Sequence, residues 1–220
     1  MHGCDWDLLP DVFAPTDSPS TEIAMELLDL SDNGAFPLDG AMLEMGCGTG
    51  VIGVTAAMHT GRRVVAADIN PAAVRNAELN AARHGVGDLV HAVRGDLFDG
   101  LAPCERFDVI FWSSPYVLAP ADYEYQHIHE RAYVDPGYVT HQRFLAEAPR
   151  WLAPGGTILL HFSTRGDLVA LLRAAQAAGR GLHILRSLVH QEGEHAVDHM
   201  LVEVTTPTGV WAGRSRVEVG

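Results

Sequence analysis

The chain carries a glycine-rich turn next to acidic residues, a combination that can bind a small charged ligand. Glycines at positions 46, 48 and 50 follow an apolar stretch and precede a helix-forming one. Glycine permits positive φ angles and lets the backbone approach a ligand closely. The free amides at the start of the next helix attract a carboxylate or a phosphate. Glu44 stands just before this turn, and Asp68 ends the next strand-like stretch.

The glycine spacing and the acids together narrow the ligand. A dinucleotide pyrophosphate is bound by the spacing G-x-G-x-x-G, whereas this turn reads G-x-G-x-G and is followed by Val51. Glu44 would repel a pyrophosphate but could accept a hydrogen bond from a ligand ammonium. Asp68 could accept from both hydroxyls of a ribose, and Asp96, after a third strand-like stretch, from an adenine amino group. A ligand with an ammonium, a carboxylate, a ribose diol and an adenine but no phosphate is S-adenosylmethionine (SAM).

A second group of residues follows a further apolar stretch, 107–112. Ligands of a parallel sheet lie beyond the carboxyl ends of its strands, so Ser113-Ser114-Pro115-Tyr116 is expected beside the methyl group of SAM. Because positioning supplies much of the rate of a group transfer, these residues are candidates for contacts with the methyl acceptor.

Alternating strand and helix patterns predict the elements that hold these residues. They indicate an α/β fold whose parallel sheet is covered by helices on both faces, and 220 residues suit one domain. The first helix is expected to have Ser18 as N-cap and Pro19 at its first position, and to end near residues 31–34. The other predicted helices are 49–59, 71–84, 138–152 and 166–178, and the predicted strands are 41–45, 63–68, 89–94, 107–112, 157–162, 182–189 and 199–205.

Glu44, the glycine turn, Asp68 and Asp96, in this order, resemble class I SAM-dependent methyltransferases over roughly residues 35 to 205. The resemblance implies a Rossmann-like fold with a seven-stranded, mostly parallel sheet. The segment 113–116 resembles the Asn-Pro-Pro-Tyr motif of amino-methylating enzymes, notably release-factor glutamine methyltransferases (HemK-type) and adenine-N6 DNA methyltransferases. In that motif the Asn side chain and a backbone carbonyl hold the target NH2, and the Tyr ring packs over it. Two serines replace the Asn and the first Pro here, which leaves the acceptor open.

The N-terminal segment 12–18 resembles the Val-x-x-Pro-x-x-Asp-Ser/Thr stretch that precedes the SAM domain in the glutamine methyltransferases. This implies that residues 1–34 fold over the cofactor and that residues 35–220 form the SAM-binding domain. The glutamine methyltransferases usually carry an N-terminal substrate domain, for which about 40 residues before the first strand leave no room. The SAM contacts expected from both lines of argument are Asp17, Ser18, Glu44, Gly46, Cys47, Gly48, Gly50, Asp68, Ile69, Asn70, Asp96 and Leu97, with Ile69 and Leu97 against the faces of the adenine.

A polar and aromatic insert at about 118–137 is too long for a simple connection and lacks a clear period. If it is extended, Tyr123, Tyr125, His127 and His129 share one face. One of the two histidines is expected to take the proton of the acceptor. A metal pair with Asp135 or His141 is an alternative, but the usual ligand spacings are missing, so no metal is predicted.

The catalytic residues predicted from these arguments are Ser113, Tyr116, His127 and His129. The predicted substrate contacts are Ser114, Pro115, Tyr125, Arg131 and Ser163. His161, inside a strand, is expected to be a packed core residue.

The composition argues against several other classes of protein. A net charge of −13, from 28 acidic and 15 basic residues, disfavours nucleic acid as a partner because phosphates need a basic patch. Three cysteines support neither a disulfide framework nor a zinc site. The sequence shows no signal peptide and no apolar run of membrane-spanning length. We therefore expect a cytoplasmic monomer or homodimer that acts on a small molecule or a peptide.

Three functions remain open from the sequence. The first is a SAM-dependent methyltransferase acting on an amine or amide nitrogen of a small molecule or peptide. The second keeps the fold but uses the aminocarboxypropyl chain of SAM, releasing methylthioadenosine, for example by cyclisation to azetidine-2-carboxylate. The third is a non-catalytic SAM-binding partner. Incubation with SAM alone separates the first two, because only the second yields methylthioadenosine without an acceptor.

Overall fold

The structure is a computed structural model and describes residues 3–16, 18–30 and 39–205. The strands of its central sheet are β1 (Met42–Met45), β2 (Val64–Asp68), β3 (Val90–Arg94), β4 (Phe107–Ser113), β7 (Leu152–Ser163), β8 (Gly181–Glu192) and β9 (His195–Thr205). The seven strands lie in the order β3-β2-β1-β4-β7-β9-β8. Neighbouring strands are parallel except that β9 is antiparallel to β7 and β8. The seven-stranded, mostly parallel sheet expected from the sequence is confirmed.

Helices cover both faces of this sheet because its strands are apolar on both sides. The α-helices are α1 (Ser20–Leu27), α2 (Val51–Thr60), α3 (Pro71–Arg83), α4 (Val139–Glu147) and α5 (Leu168–Ala177). Met42 and Val64 belong to one buried cluster, with residues of α1, α2 and α3. Leu43 and Val65, one position along each strand, belong to the other cluster, with residues of α4 and α5. Each strand thus contributes to two cores in alternation.

Strand β1 pairs with β2 on one side and β4 on the other. The strand order reverses between β1 and β4, and a sheet of this kind opens a crevice beyond the carboxyl ends of its strands at that point. The glycine turn after β1 and the serines at the end of β4 therefore face each other across this crevice.

The first helix differs from its predicted bounds at both ends. It begins at Ser20 with Pro19 in the N-cap position, because the Pro19 carbonyl accepts the first helical hydrogen bond, from Ile23 (2.9 Å). Ser18 is therefore not the N-cap, and its hydroxyl accepts only from the Ser20 amide. The helix ends at Leu27, before the predicted limit at 31–34, which lies outside the described residues. Asp29 takes a positive φ of 63° just after that end.

Two other elements also differ from their predicted bounds. The helix predicted over 138–152 ends at Glu147 and continues as a 3₁₀ turn over Ala148–Trp151, because Pro149 has no amide to continue the α-helical ladder. The strand predicted over 157–162 begins at Leu152 instead, and the pairing of this longer β7 with β4 shifts its register.

The insert is ordered rather than a featureless loop. It contains β5 (Val117–Ala119) and β6 (Val134–Pro136), which pair in parallel, and a 3₁₀ helix over Ile128–Ala132. The prediction of an extended insert, with its tyrosines and the histidines at 127 and 129 on one face, is therefore wrong. The chain coils between the tyrosines and the histidines. In the described ranges, no helix combines the length and the apolar character needed to cross a bilayer.

Candidate active site

One pocket occupies the crevice at the carboxyl ends of β1, β2 and β4. Its wall combines four parts of the chain: the N-terminal segment, the glycine turn, the segments that follow β2, β3 and β4, and the insert. The predicted residues that line it are Glu44, Gly46, Cys47, Gly48, Asp68, Ile69, Asn70, Asp96, Leu97, Ser113, Ser114, Pro115, Tyr116, Tyr125, His129 and Arg131. The structure thus brings most of the predicted cofactor and substrate residues to one cavity.

The glycine turn is shaped by close packing as much as by the pocket. Gly50 has a φ of 79° and does not line the cavity, which corrects its predicted role as a ligand contact. A Cβ at Gly50 would lie 2.8 Å from the Ala77 Cα on α3. The amides of the turn reach the pocket because Gly50 lets α2 start tightly against α3.

Glu44 is a buried carboxyl at the base of the pocket. Only 3% of its surface is exposed, and its Oε2 accepts a hydrogen bond of 2.9 Å from the amide of Gly53. Burial raises the pKa of Glu44 to about 8, despite that hydrogen bond. The carboxyl is therefore largely protonated at neutral pH, and a cation placed next to it would favour its ionised form.

Asp68 is held in place by two backbone amides. Its Oδ2 accepts from the amide of Gly48 (2.9 Å) and its Oδ1 from that of Asn70 (2.8 Å). Burial raises the pKa of Asp68, and these hydrogen bonds oppose the rise. Asn70 in turn caps α3 by accepting from Ala72 (2.9 Å). The carboxylate thus joins the glycine turn to the start of α3 on the wall of the pocket.

Asp96 lines the pocket between β3 and α4 and is already paired. Arg143 on α4 donates to its Oδ2 at 2.9 Å. The next residue, Leu97, has a φ of 54° and is buried at the pocket wall. The acid and the apolar side chain thus stand next to each other on the pocket wall.

Residues 3–16, which precede α1, form a segment that crosses α3 and is called the strap below. Asn76 and Asn80, both fully buried, accept from the amides of Leu9 and Asp7 at 2.8 Å. Arg83 donates twice to the Asp7 carboxylate. The strap brings Val12, Phe13 and Pro15 to the wall of the pocket. Asp17 lies outside the described residues.

The prediction that Ser18 contacts the cofactor needs correction. It does not line the pocket, where Ser20 and Thr21 of α1 stand instead. Its hydroxyl donates to that of Ser20 at 3.0 Å. Ser18 therefore belongs to the start of α1 rather than to the pocket wall.

The motif after β4 is anchored on β7. The amide and the hydroxyl of Ser114 both donate to the carbonyl of His161 (3.2 and 3.1 Å). The Tyr116 carbonyl accepts from the Tyr138 hydroxyl at 2.6 Å. Burial raises the pKa of Tyr116, so its phenol stays protonated and serves as a packing and hydrogen-bonding group rather than as a base.

The Ser113 hydroxyl lies on the pocket wall, 2.9 Å from Nδ1 of His161. Nε2 of His161 lies 3.0 Å from Nδ1 of His199 on β9. Both imidazoles are fully buried. His161 is a core residue, as expected, but its link to Ser113 was missed. The available signal was that both residues lie near the carboxyl ends of predicted strands, which turn out to be neighbours.

Three predictions for the acceptor side need correction. His127 does not line the pocket and is exposed, because its backbone starts the 3₁₀ helix and its amide donates to Glu130. Ser163 is fully buried and accepts from the amide of Arg165, so it belongs to the turn after β7. The Asp135 carboxylate contacts Nδ1 of His141 (2.6 Å) and not the insert histidines. Among the described residues, no group of three or more histidine, cysteine or acidic side chains is placed to hold a metal.

The insert brings Tyr125, His129 and Arg131 to the pocket. The Arg131 guanidinium stands over the Tyr125 ring, 4.3 Å from its centroid, a contact that stabilises both side chains. The Tyr125 hydroxyl donates to the carbonyl of Val134 at 3.1 Å. Sequence reasoning did not identify Phe13, Trp112 and Tyr133 as pocket residues, since isolated aromatic residues carry no positional signal.

Comparisons with known proteins agree with this geometry. Residues 9–176 match the Methyltransferase small domain family. The release factor glutamine methyltransferase of Bordetella pertussis is 31% identical over 189 residues, which cover 82% of this chain and 67% of that protein. The ribosomal protein uL3 glutamine methyltransferase of Burkholderia pseudomallei is 30% identical over 151 residues, covering 60% and 49%.

Solved structures show the same fold. A methyltransferase from Pyrococcus furiosus has a TM-score of 0.61 at 20% identity, covering 93% of this chain and 90% of that one. An RNA methyltransferase from Salinibacter ruber, solved with S-adenosyl-L-homocysteine, has a TM-score of 0.50 at 22% identity, covering 88% and 95%.

The fold and the family match define a class I SAM-dependent methyltransferase. Within that class, the chain belongs to the Methyltransferase small domain family and is of the release-factor glutamine methyltransferase type.

Proposed function

We propose that this chain transfers the methyl group of SAM to a nitrogen atom of a peptide or small molecule, with a peptide carboxamide as the first candidate. One observation carries the proposal: Ser113 and Tyr116 line the same pocket as the glycine turn and Asp68. Relatives named as glutamine methyltransferases support a carboxamide acceptor.

The cofactor end of the pocket has donors and acceptors that suit SAM. Glu44 can accept from the ammonium, the amides of the glycine turn can donate to the carboxylate, and Asp68 can accept from the ribose hydroxyls. SAM supplies a methyl group activated by its sulfonium. Glu44 is buried, and the low local dielectric strengthens its interaction with a ligand ammonium.

The acceptor end would orient the nitrogen. An amide nitrogen shares its lone pair with its carbonyl, so it attacks only when acceptors hold its protons and turn the lone pair toward the methyl carbon. Ser113 is placed to accept a hydrogen bond from one N–H of the methyl acceptor. The Tyr116 ring is placed to restrict the orientation of that acceptor. Holding reacting atoms about 3–3.5 Å apart supplies a large part of such rate accelerations. His129, on the pocket wall, is our candidate for taking the proton that is released.

Transfer of a labelled methyl group tests this function. The protein is incubated with [methyl-³H]SAM and a library of glutamine-containing peptides, with the same peptides carrying glutamate as controls. We expect label in the glutamine peptides and equimolar S-adenosylhomocysteine. Methylthioadenosine formed without a peptide would instead establish the use of the aminocarboxypropyl chain. Binding of SAM without any product from peptides or simple amines would contradict an enzymatic role.

Calorimetry tests the cofactor site separately. Asp68→Ala removes the proposed ribose acceptor and the hydrogen bonds from Gly48 and Asn70. Hydrogen bonds to a charged group contribute about 1.5–3 kcal/mol each, so we expect SAM affinity to fall by about 100-fold or more. Asp88→Ala, an exposed acid before β3, is the matched control. Unchanged affinity in Asp68→Ala would contradict the assignment of the ribose acceptor.

A further inference from the structure

A chain of polar contacts leads from the pocket into the sheet. It starts at the Ser113 hydroxyl at the end of β4, passes through His161 on β7 and reaches His199 on β9. The two contacts measure 2.9 Å and 3.0 Å. Ser113 and His161 are register partners on adjacent strands, so the sheet itself fixes this alignment. Beyond His199, Nε2 lies 3.8 Å from Oε1 of Glu192 on β8.

Both imidazoles are neutral, so each has one donor and one acceptor nitrogen. Burial lowers the pKa of His161 to about 3, and the neighbouring His199 adds to this effect. Burial also lowers the pKa of His199, with further contributions from His190 and Arg165 that outweigh the opposing effect of Asp198. A hydrogen-bonded chain of two neutral imidazoles has only two proton arrangements. In one, every hydrogen bond donates toward the pocket, and in the other, every hydrogen bond donates away from it.

Glu192 selects between these directions. Its Oε2 is engaged by Arg165, and its Oε1 is the oxygen nearest to Nε2 of His199. That nitrogen has no hydrogen-bond partner among the described residues, and a carboxylate oxygen can only accept. A proton on Nε2 of His199 is therefore attracted to Glu192, whereas a lone pair there would be repelled.

The remaining protons follow from this choice. With Nε2 of His199 protonated, its Nδ1 must accept, so His161 carries its proton on Nε2. Nδ1 of His161 is then an acceptor, and the hydroxyl of Ser113 must donate to it. A hydroxyl has one proton and two lone pairs, so the lone pairs of Ser113 are left for the pocket.

We propose that His161 and His199 are positioning residues that fix Ser113 as a hydrogen-bond acceptor for an N–H of the methyl acceptor. A free serine hydroxyl rotates and can donate to a substrate carbonyl as easily as it accepts from a substrate amide. With its proton held by His161, Ser113 discriminates in favour of a substrate that donates. This inference rests on the proposed methylation of a nitrogen and names the chemistry that recognises it.

Nitrogen-15 NMR of the histidine side chains tests the proton arrangement without any substrate. Two-bond ¹H–¹⁵N spectra of ¹⁵N-histidine-labelled protein distinguish a protonated from an unprotonated ring nitrogen. The resonances of the two residues are assigned by their loss in His161→Leu and His199→Leu. We expect the Nε2–H form at both residues at pH 7. The Nδ1–H form at His161 would overturn the proposal, because His161 would then donate to Ser113.

Kinetics with the labelled glutamine peptides test the consequence. We expect Ser113→Ala and His199→Leu each to lower kcat by about 10-fold or more, with SAM affinity within twofold of the wild type. The double variant should be no slower than Ser113→Ala, since His199 acts only through Ser113. Multiplicative losses in the double variant would overturn the proposal. His183→Leu, an exposed histidine on β8, is the control and should keep the wild-type kcat.

The two arms separate this inference from the function on which it rests. If the wild type transfers no methyl group to any nitrogen acceptor, the proposed function fails while the NMR result still fixes the direction of the chain. If the wild type is active and His161 is in the Nδ1–H form, only the inference fails.

Discussion

Glu44 shows how one buried acid can couple ligand binding to protonation. Its carboxyl receives a hydrogen bond from Gly53, but burial dominates and raises its pKa to about 8. A ligand ammonium next to it would stabilise the carboxylate and lower that pKa. Binding at neutral pH should then expel a proton.

This gives a prediction that calorimetry can check. SAM binding at pH 7 should release a substantial fraction of one proton, seen as a dependence of the binding enthalpy on the ionisation enthalpy of the buffer. The affinity should increase as the pH rises from 6 toward 8, because less work is then needed to ionise Glu44. Glu44→Gln should remove most of this proton release, whereas the exposed Glu78→Gln should keep it. A binding enthalpy that is the same in all buffers would argue against a contact between Glu44 and the ammonium.

At the scale of single residues, the sequence predicted those contacts that a local pattern encodes. The spacing of Glu44, the glycine turn and Asp68 lies within one strand–turn–helix–strand unit, and all three reach the pocket or its edge. The contact of Ser113 with His161 spans 48 positions and depends on which strands are neighbours. Its recognition therefore needed the sheet order and the register, which no short spacing contains.

The N-terminal strap is the element on which the closure of the pocket depends. Its backbone is fixed by Asn76 and Asn80, whose amide groups accept from it and donate to it. Neither asparagine contacts the pocket. Their effect on a ligand must therefore pass through the position of Phe13 and Pro15.

Replacing one of these asparagines should loosen the cover of the site. Asn76→Ala leaves the amide of Leu9 without this partner, whereas the carbonyl of Asp7 keeps its hydrogen bond from Asn80. A buried group left unpaired costs about 1–3 kcal/mol. We expect the free energy of unfolding to fall by about 1–3 kcal/mol and SAM to dissociate several-fold faster in stopped-flow measurements. The control is Arg83→Ala, which removes the exposed ion pair with Asp7. Such pairs contribute about 0–1 kcal/mol. Equal effects of the two variants would mean that the asparagines have no special part in holding the strap.

The elements themselves were predicted well where periodicity is regular and poorly where it is not. The helix starting at Pro71 was found within one residue at its end, because an Asn cap, a first-position proline and a following glycine mark it. The insert gave no period, since β5, β6 and the 3₁₀ helix are each too short to show one. Its two histidines do stack, with ring centroids 5.5 Å apart, but of the two only His129 reaches the pocket.

At the scale of the whole molecule, stability depends on pH through groups with opposite effects. His161 keeps a pKa of about 3 in the folded protein against 6.5 for an ordinary histidine. Below pH 6.5 the unfolded chain takes up a proton there and the folded one does not, so stability is lost as the pH falls toward 3. Glu44 acts the other way: its contribution is fully present below pH 4.5 and is lost as the pH rises through about 8.

Urea unfolding at pH 7 and pH 5 should separate these contributions. The wild type should lose about 2 kcal/mol from His161 over this interval, at 1.36 kcal/mol per pH unit below pH 6.5. His161→Leu should therefore lose about 2 kcal/mol less than the wild type between the two pH values, whatever its stability at pH 7. His183→Leu, on the exposed edge strand, should follow the wild type. A His161→Leu profile parallel to that of the wild type would show that His161 titrates normally in the folded chain.

The strap also has a consequence for the order of events during synthesis. It leaves the ribosome before its partners on α3, which follow 67 to 76 residues later. Contacts of such separation form only after the intervening chain has been ordered. The nascent N-terminal segment therefore waits without a docking surface until β1, β2 and α3 have assembled. The strap is thus synthesised before α3 but docks only after α3 has formed, so a chain stalled before residue 83 has the glycine turn but no closed site.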